Sequence, residues 1–135
     1  MKIIKNYLTA EECQLIIGSC NDERGVGQGR TKFKLPKSVL RKLSITHRAT
    51  LTVAIQYYEV GDSFMPHRDL QGNLRRVSSM SILLNDEFKG GDLMVEHQKA
   101  TMNKGDATLF TPQDLHWVTG ILEGHRYVLA VWGVK

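Results

Sequence analysis

From about residue 49 to the end, the sequence is a succession of short β-type runs with no segment long enough to be a crossover helix between them. Runs rich in Val, Ile, Leu, Thr and Tyr fall near 50–58, 64–69, 75–84, 92–97, 107–111, 115–119 and 126–133, and Gly, Pro, Asn and Asp divide them. Parallel strands need crossovers of roughly a dozen residues or more, so a βαβ sheet is excluded. Seven short strands at close spacing predict a sandwich or a double-sheet roll. The first third reads differently. Thr9-Ala10-Glu11-Glu12 is a capping box, and Cys13, Ile16, Ile17 and Cys20 recur behind it at helical spacing, which predicts a helix over about 10–20. Pro36 suits a helix start, and Val39, Leu40 and Leu43 give a second, short amphipathic helix. Between them Gly25-Val26-Gly27-Gln28-Gly29 places three glycines in five positions, a flexible loop suited to a lid. The reading is one domain over 1–135, with helical and lid support in 1–48 and a β core in 49–135.

Composition narrows the function classes. At 135 residues, with 41% apolar and 24% charged residues, the chain can build one core and is not disordered. No run approaches ~18 apolar residues, the length a membrane-spanning helix needs. The start, Met1 to Asn6, has no apolar stretch of the kind a secretory leader carries, so a cytoplasmic location is expected. Cys13 and Cys20 lie about 10 Å apart along a helix, beyond disulfide reach, and are expected to be free. Charge is uneven. Residues 1–50 hold ten Lys/Arg against four Asp/Glu, whereas 51–135 hold eight against ten. No acid falls between Glu23 and Glu59, a span containing Arg24, Arg30, Lys32, Lys34, Lys37, Arg41, Lys42 and Arg48. Such a basic stretch is either a solvated face or a surface for nucleic acid or an acidic partner.

The chemistry concentrates in Met65-Pro66-His67-Arg68-Asp69. On a strand, side chains two apart share a face, so His67 and Asp69 can ligate one ion. Alone this is weak, because five histidines and seven aspartates produce a His-x-Asp by chance about one time in four. His116, 49 residues on in Gln113-Asp114-Leu115-His116-Trp117-Val118, completes a two-histidine, one-carboxylate set. That facial triad leaves coordination positions open and is typical of non-haem Fe(II) oxygenases. Ten residues later Arg126 opens an otherwise apolar strand, a placement that makes sense if its guanidinium grips a carboxylate at the end of an apolar pocket.

These residues form an ordered series. Tyr58-Glu59-Val60-Gly61 runs through Phe64 to His67-Arg68-Asp69. Ser79 to Asn85 is followed by Phe88-Lys89-Gly90-Gly91-Asp92-Leu93. Lys104-Gly105-Asp106-Ala107 leads to Phe110, then come His116-x-Val118, Gly124-x-Arg126 and Trp132. From Tyr58 to Trp132 the chain resembles the Fe(II)- and 2-oxoglutarate-dependent oxygenases of the prolyl 4-hydroxylase-like branch, small bacterial or viral type. The resemblance implies a mainly β fold with flanking helices, a double-stranded β-helix (jelly roll) with two N-terminal helices packed on one sheet. It implies Fe(II) on His67, Asp69 and His116. It implies 2-oxoglutarate as cosubstrate against Arg126, Tyr58, Val118 and Leu83, with O2 and, as an optional addition, ascorbate. Trp132, Arg30 and Arg68 are the expected substrate contacts, and no acid–base residue is expected beyond the metal centre. Three positions depart from relatives: Phe64 and Leu83 stand where a tyrosine is found, and Val128 where Ser or Thr is found, so hydrogen bonds to the cosubstrate are fewer.

The resulting expectation is a dioxygenase hydroxylating a C–H bond, with prolyl 4-hydroxylation of a peptide or protein as the leading reaction. Oxidation of nucleic acid or a small molecule is the alternative, although Trp132 stands where nucleic-acid dealkylating relatives carry a second arginine. A non-catalytic metal- or sugar-binding roll is disfavoured by the absence of a His-x-His pair, and a zinc hydrolase leaves Arg126 and Tyr58 unexplained. No catalytic role is expected for His47, His97 or His125.

Overall fold

The computed structural model describes residues 1–20 and 33–135, together with the backbone of 29–30. In chain order the elements are β1 (Lys2–Ile4), α1 (Ala10–Ser19), β2 (Gly29–Arg30), α2 (Lys37–His47), β3 (Thr50–Tyr58), β4 (Phe64–His67) and β5 (Arg76–Leu83). They continue with β6 (Phe88–Gly90), β7 (Leu93–Val95), β8 (Gln98–Ala100), β9 (Ala107–Phe110), β10 (His116–Val118), β11 (Ile121–Gly124) and β12 (Arg126–Val134). A single 3-10 turn, Asp69–Gln71, follows β4.

Every described strand pairing is antiparallel. A six-stranded sheet has the order β1-β9-β5-β12-β3-β2, a four-stranded sheet β4-β10-β7-β8, and β6 with β11 makes a separate ribbon. This is the expected mainly β, jelly-roll-like architecture with two N-terminal helices on one sheet.

The central strand β12 explains the layering. Its residues alternate faces, yet nearly all are apolar, because both faces of the large sheet are covered. Leu129 and Val131 join Ile55, Met80 and Ile82 under Cys13, Ile16, Val39 and Leu43 of the helices in one core. On the opposite face Tyr58 and Phe110 meet Leu93, Val95 and Val118 of the small sheet in a second core. Each fully buried aliphatic side chain contributes roughly 1.5–3 kcal/mol.

The helices form as the sequence predicts. Glu12 N–H donates to Thr9 Oγ1 at 3.0 Å and Thr9 N–H donates to Glu12 Oε1 at 2.9 Å, which closes the capping box. Glu12 also joins the two helices, accepting from Lys42 Nζ at 2.6 Å and from Ser38 Oγ at 2.5 Å. Pro36 caps α2, and Arg48 ends it in the left-handed conformation. Cys13 and Cys20 form no disulfide, and the Cys20 thiol donates to the Ile16 carbonyl at 3.4 Å. Residues 25–28 of the expected glycine lid lie outside the described residues.

One difference from the sequence reading bears on the site. The strand expected over 64–69 ends at His67, because Asp69 turns into the 3-10 turn. Arg68 nevertheless stays extended, with φ −117° and ψ 138°, so the His67–Asp69 alternation survives the turn. Pro66, which has no N–H to donate, sits on β4 at the edge of its sheet, where a missing donor is tolerated.

Candidate metal centre and its pocket

His67 closes β4, His116 opens β10, and the two are register partners across that strand pair. Asp69 stands on the turn just beyond. One ligand atom from each of His67, Asp69 and His116 can be chosen such that all lie within 4.8 Å of one another, and among the described residues this is the only such group. Asp69 Oδ1 is 3.5 Å from His67 Nε2 and 3.3 Å from His116 Nε2. Cis ligands at ~2.1 Å from a metal are ~3.0 Å apart, so a small closure completes the site.

The surroundings aim these atoms. His67 Nδ1 donates to the Met65 carbonyl at 2.9 Å and His116 Nδ1 donates to the Asp114 carbonyl at 3.0 Å, which leaves each Nε2 lone pair for a metal. The ligand loops are tied together as well. Leu70 N–H donates to the Pro112 carbonyl at 3.1 Å, and Arg68 Nε donates to the Gln113 carbonyl at 3.0 Å. Asp69 is buried, and its second oxygen is occupied: Oδ2 accepts from Ser79 Oγ at 2.6 Å and from Trp132 Nε1 at 2.9 Å. Burial opposes ionisation of Asp69, but the contacts from His116, His67 and Ser79 outweigh it and hold the carboxyl far below the usual range. A carboxylate kept ionised with one oxygen committed presents the other as a one-point ligand.

From the centre a cavity of about 40 Å³ runs inward, lined among others by Gln56, Tyr58, Ser81, Phe110, Val118 and Ala130. Strand register explains its course. On β12, Trp132, Ala130, Val128 and Arg126 share the inward face, and Arg126 lies directly opposite Tyr58 of β3. Trp132 and Ala130 line this cavity, and Val128 and Arg126 follow on the same face of the strand.

Further along the same face of β12, Arg126 is only 1% exposed. Its guanidinium carbon lies 5.0 Å from the centre of the Tyr58 ring. Its Nε and Nη1 have no hydrogen-bond partner among the described residues. Burial pushes the Arg126 guanidinium down and the Tyr58 phenol up, while each partly offsets the other's shift, so the phenol stays neutral. The Tyr58 hydroxyl donates to Gln56 Oε1 at 3.3 Å. Gly91 lets the backbone pass over this arginine. Gly91 has φ +64°, and a Cβ there would lie 2.4 Å from Ile121 Cδ1 and 3.0 Å from Arg126 Cδ.

The remaining expected site residues distribute unevenly. Val118 lines the inner cavity. Leu83 does not; with Arg126 it lines a second cavity of about 370 Å³ beneath the arginine. Trp132 and Arg68 border a groove of about 650 Å³ in front of the metal centre, with Phe64, Met65 and Arg76. The Arg30 backbone pairs with Ile55, and its side chain lies outside the described residues. His125 stacks on Tyr57, and His47 bonds Ser78, both away from the triad. The sequence reading missed Ser79 as a partner of Asp69. Its signal was a hydroxyl on the inward face of a buried strand, a position that favours an apolar side chain unless something there needs a donor.

Residues 53–133 match the family described as the 2OG-Fe(II) oxygenase superfamily. No curated relative matches in sequence. Among solved structures, the chain is similar to a viral collagen prolyl hydroxylase from Paramecium bursaria Chlorella virus-1, described as a 2OG complex. Identity there is 17%, coverage 99% of this chain and 96% of the other, and the TM-score 0.73. A Pseudomonas putida prolyl-4-hydroxylase gives 14% identity, 99% and 91% coverage and a TM-score of 0.77. A Burkholderia pseudomallei oxidoreductase of the 2OG-Fe(II) oxygenase family gives 18%, 81% and 63%, and 0.61. At these identities the likeness establishes a shared fold.

Proposed function

The chain belongs to the 2OG-Fe(II) oxygenase superfamily and is an Fe(II)- and 2-oxoglutarate-dependent enzyme, and on that premise we propose that it hydroxylates prolyl residues of a peptide or protein. The observation that carries the cosubstrate assignment is Arg126: a buried guanidinium with unpartnered nitrogens, on the same inward face as the triad. A buried charge of this kind is stable only when an opposite charge meets it. The far carboxylate of a five-carbon diacid would supply that charge, so the residues fit the group.

Iron, 2-oxoglutarate and O2 together supply the oxidising chemistry, in which the oxo acid becomes succinate and CO2 and one oxygen atom enters a substrate C–H bond. The protein's part is placement. His67, His116 and Asp69 Oδ1 would hold the metal, and a three-residue set of this kind would leave coordination positions free for cosubstrate and oxygen. Arg126 and the Tyr58 hydroxyl hold the far carboxylate. Val118 and Phe110 keep the path between dry, which strengthens these polar contacts. The open groove beside Trp132 admits the substrate. The prolyl assignment draws support from the likeness to two prolyl hydroxylases and from this open groove of about 650 Å³ in front of the metal centre.

The test is incubation of proline-rich peptides with enzyme, Fe(II), 2-oxoglutarate and ascorbate, followed by mass spectrometry. A 16-Da gain on proline, with succinate formed in step, is the expected result. Succinate without any peptide gain would remove the prolyl substrate and leave the oxygenase; no succinate under any condition would remove both.

A further inference from the structure

Arg76 is not part of the ligand set, yet it touches Asp69 at its main-chain carbonyl and touches the Trp132 ring that bonds its carboxylate. Its Nη1 donates to the Asp69 main-chain carbonyl at 3.0 Å. Its guanidinium lies over the Trp132 ring, 4.2 Å from the centroid. Trp132 in turn donates its Nε1–H to Asp69 Oδ2. Gly72 makes room for this arrangement, since a Cβ there would lie 3.1 Å from Arg76 Nη1. Arg76 Nε stays buried without a partner among the described residues, so the packing here serves the stack and the carbonyl contact and leaves one donor unsatisfied.

We propose that Arg76 is a positioning residue for the metal centre, clamping Asp69 through its own carbonyl and through the Trp132 indole so that only Oδ1 faces the metal. The inference rests on the metal-centre reading and is independent of the substrate. The logic is geometric. Oδ2 is held by Ser79 and Trp132, but a half-buried indole can tilt. A cation stacked on its face fixes the tilt, and the same guanidinium fixes the backbone of the 3-10 turn.

Electrostatics makes the test decisive. Arg76 is a cation near a divalent-cation site, so by Coulomb's law its removal should tighten metal binding. The clamp predicts the opposite. The probe is Co(II) added to metal-free protein, read by its visible d–d absorption, with circular dichroism to verify the fold. Arg76→Ala is expected to weaken Co(II) binding by ~10-fold and to change the d–d band shape as the carboxylate turns to offer both oxygens. Trp132→Phe, which keeps a ring for Arg76 but removes the N–H, is expected to do the same. The double variant should be far weaker than multiplicative, because both act through Asp69. Arg76→Lys retains the charge without the planar stack and should behave like Arg76→Ala; it also serves if the alanine variant fails to fold. Arg75→Ala removes a charge whose Nε bonds the Lys135 carbonyl instead, and should leave or slightly tighten binding. Unchanged or tighter binding in Arg76→Ala and Arg76→Lys, or fully multiplicative losses in the double variant, overturns the clamp. Wild-type protein that binds no Co(II) overturns the metal-centre reading and the clamp together.

Discussion

At Arg126, stability and function are expected to respond with opposite sign. The guanidinium is 1% exposed and has unpartnered nitrogens, so the cosubstrate-free protein carries the desolvation of a charge with little in return. Arg126→Met is therefore expected to leave thermal stability unchanged or to raise it by about 1 kcal/mol or more. The same change should weaken 2-oxoglutarate binding by roughly 2–5 kcal/mol, at least ~30-fold in KM, because a buried charge pair loses one member. Calorimetry without cosubstrate and a 2-oxoglutarate titration measure the two halves. A large loss of stability would mean that Arg126 is a structural residue instead. At this scale much of the centre was legible. His67 and Asp69 are two apart, and His116 and Arg126 stand beside apolar strands, so each could be picked from the chain by position. The partners that hold them were not legible. Ser79, Trp132 and Arg76 reach Asp69 from ten, sixty-three and seven residues away, and the inward hydroxyl of Ser79 signals a need for a donor without saying which residue it serves.

Among the elements, the α1–α2 pair depends on one buried carboxylate. Glu12 has a pKa lowered to about 2: burial opposes its charge, but hydrogen bonds from Lys42, Ser38 and the Thr9 N–H prevail. A carboxyl whose folded pKa is depressed stabilises the fold above its unfolded value, near 4.5, and that stabilisation is lost as the pH falls toward 2. Wild-type stability should therefore decline between about pH 5 and pH 2 more steeply than that of Glu12→Gln, which starts lower at pH 7 by about 1–3 kcal/mol. Urea unfolding at several pH values would show the two curves converging in acid; parallel curves would exclude this role. The β6–β7 connection makes a second prediction. Gly91→Ala must accept both a left-handed φ and contact with Ile121 and Arg126, so it should cost roughly 1–3 kcal/mol and weaken 2-oxoglutarate binding through a displaced Arg126, read by thermal melts and a cosubstrate titration. Both helices and the strands β3, β4, β5, β7, β9, β10 and β12 were legible, because a capping box and apolar runs are local signals. The strands β1, β2, β6, β8 and β11 were not. They are two to four residues long and exist because a neighbouring strand offers them partners.

For the whole molecule, the two cores lie on opposite faces of the large sheet, and none of the three metal ligands belongs to either. The fold is therefore expected to survive removal of metal, and metal is expected to add stability by mass action alone. Mn(II) at ~100 times its dissociation constant should contribute about 2.7 kcal/mol and raise Tm in a concentration-dependent way, while a chelator should return Tm to its metal-free value without unfolding the chain. Differential scanning fluorimetry across a Mn(II) series checks this, and a metal-independent Tm would argue against a formed site. Among the described residues, no helix is long and apolar enough to cross a membrane. The amino-acid sequence by itself determined the class of fold, the ligand triad and the arginine, because alternation, capping and motif spacing are written along the chain. Only the tertiary structure decided which face each ligand turns to, which oxygen of Asp69 is left for a metal, and that Arg126 is buried beneath it. Those depend on register between strands far apart in sequence, and register is set when both faces of one sheet are buried at once.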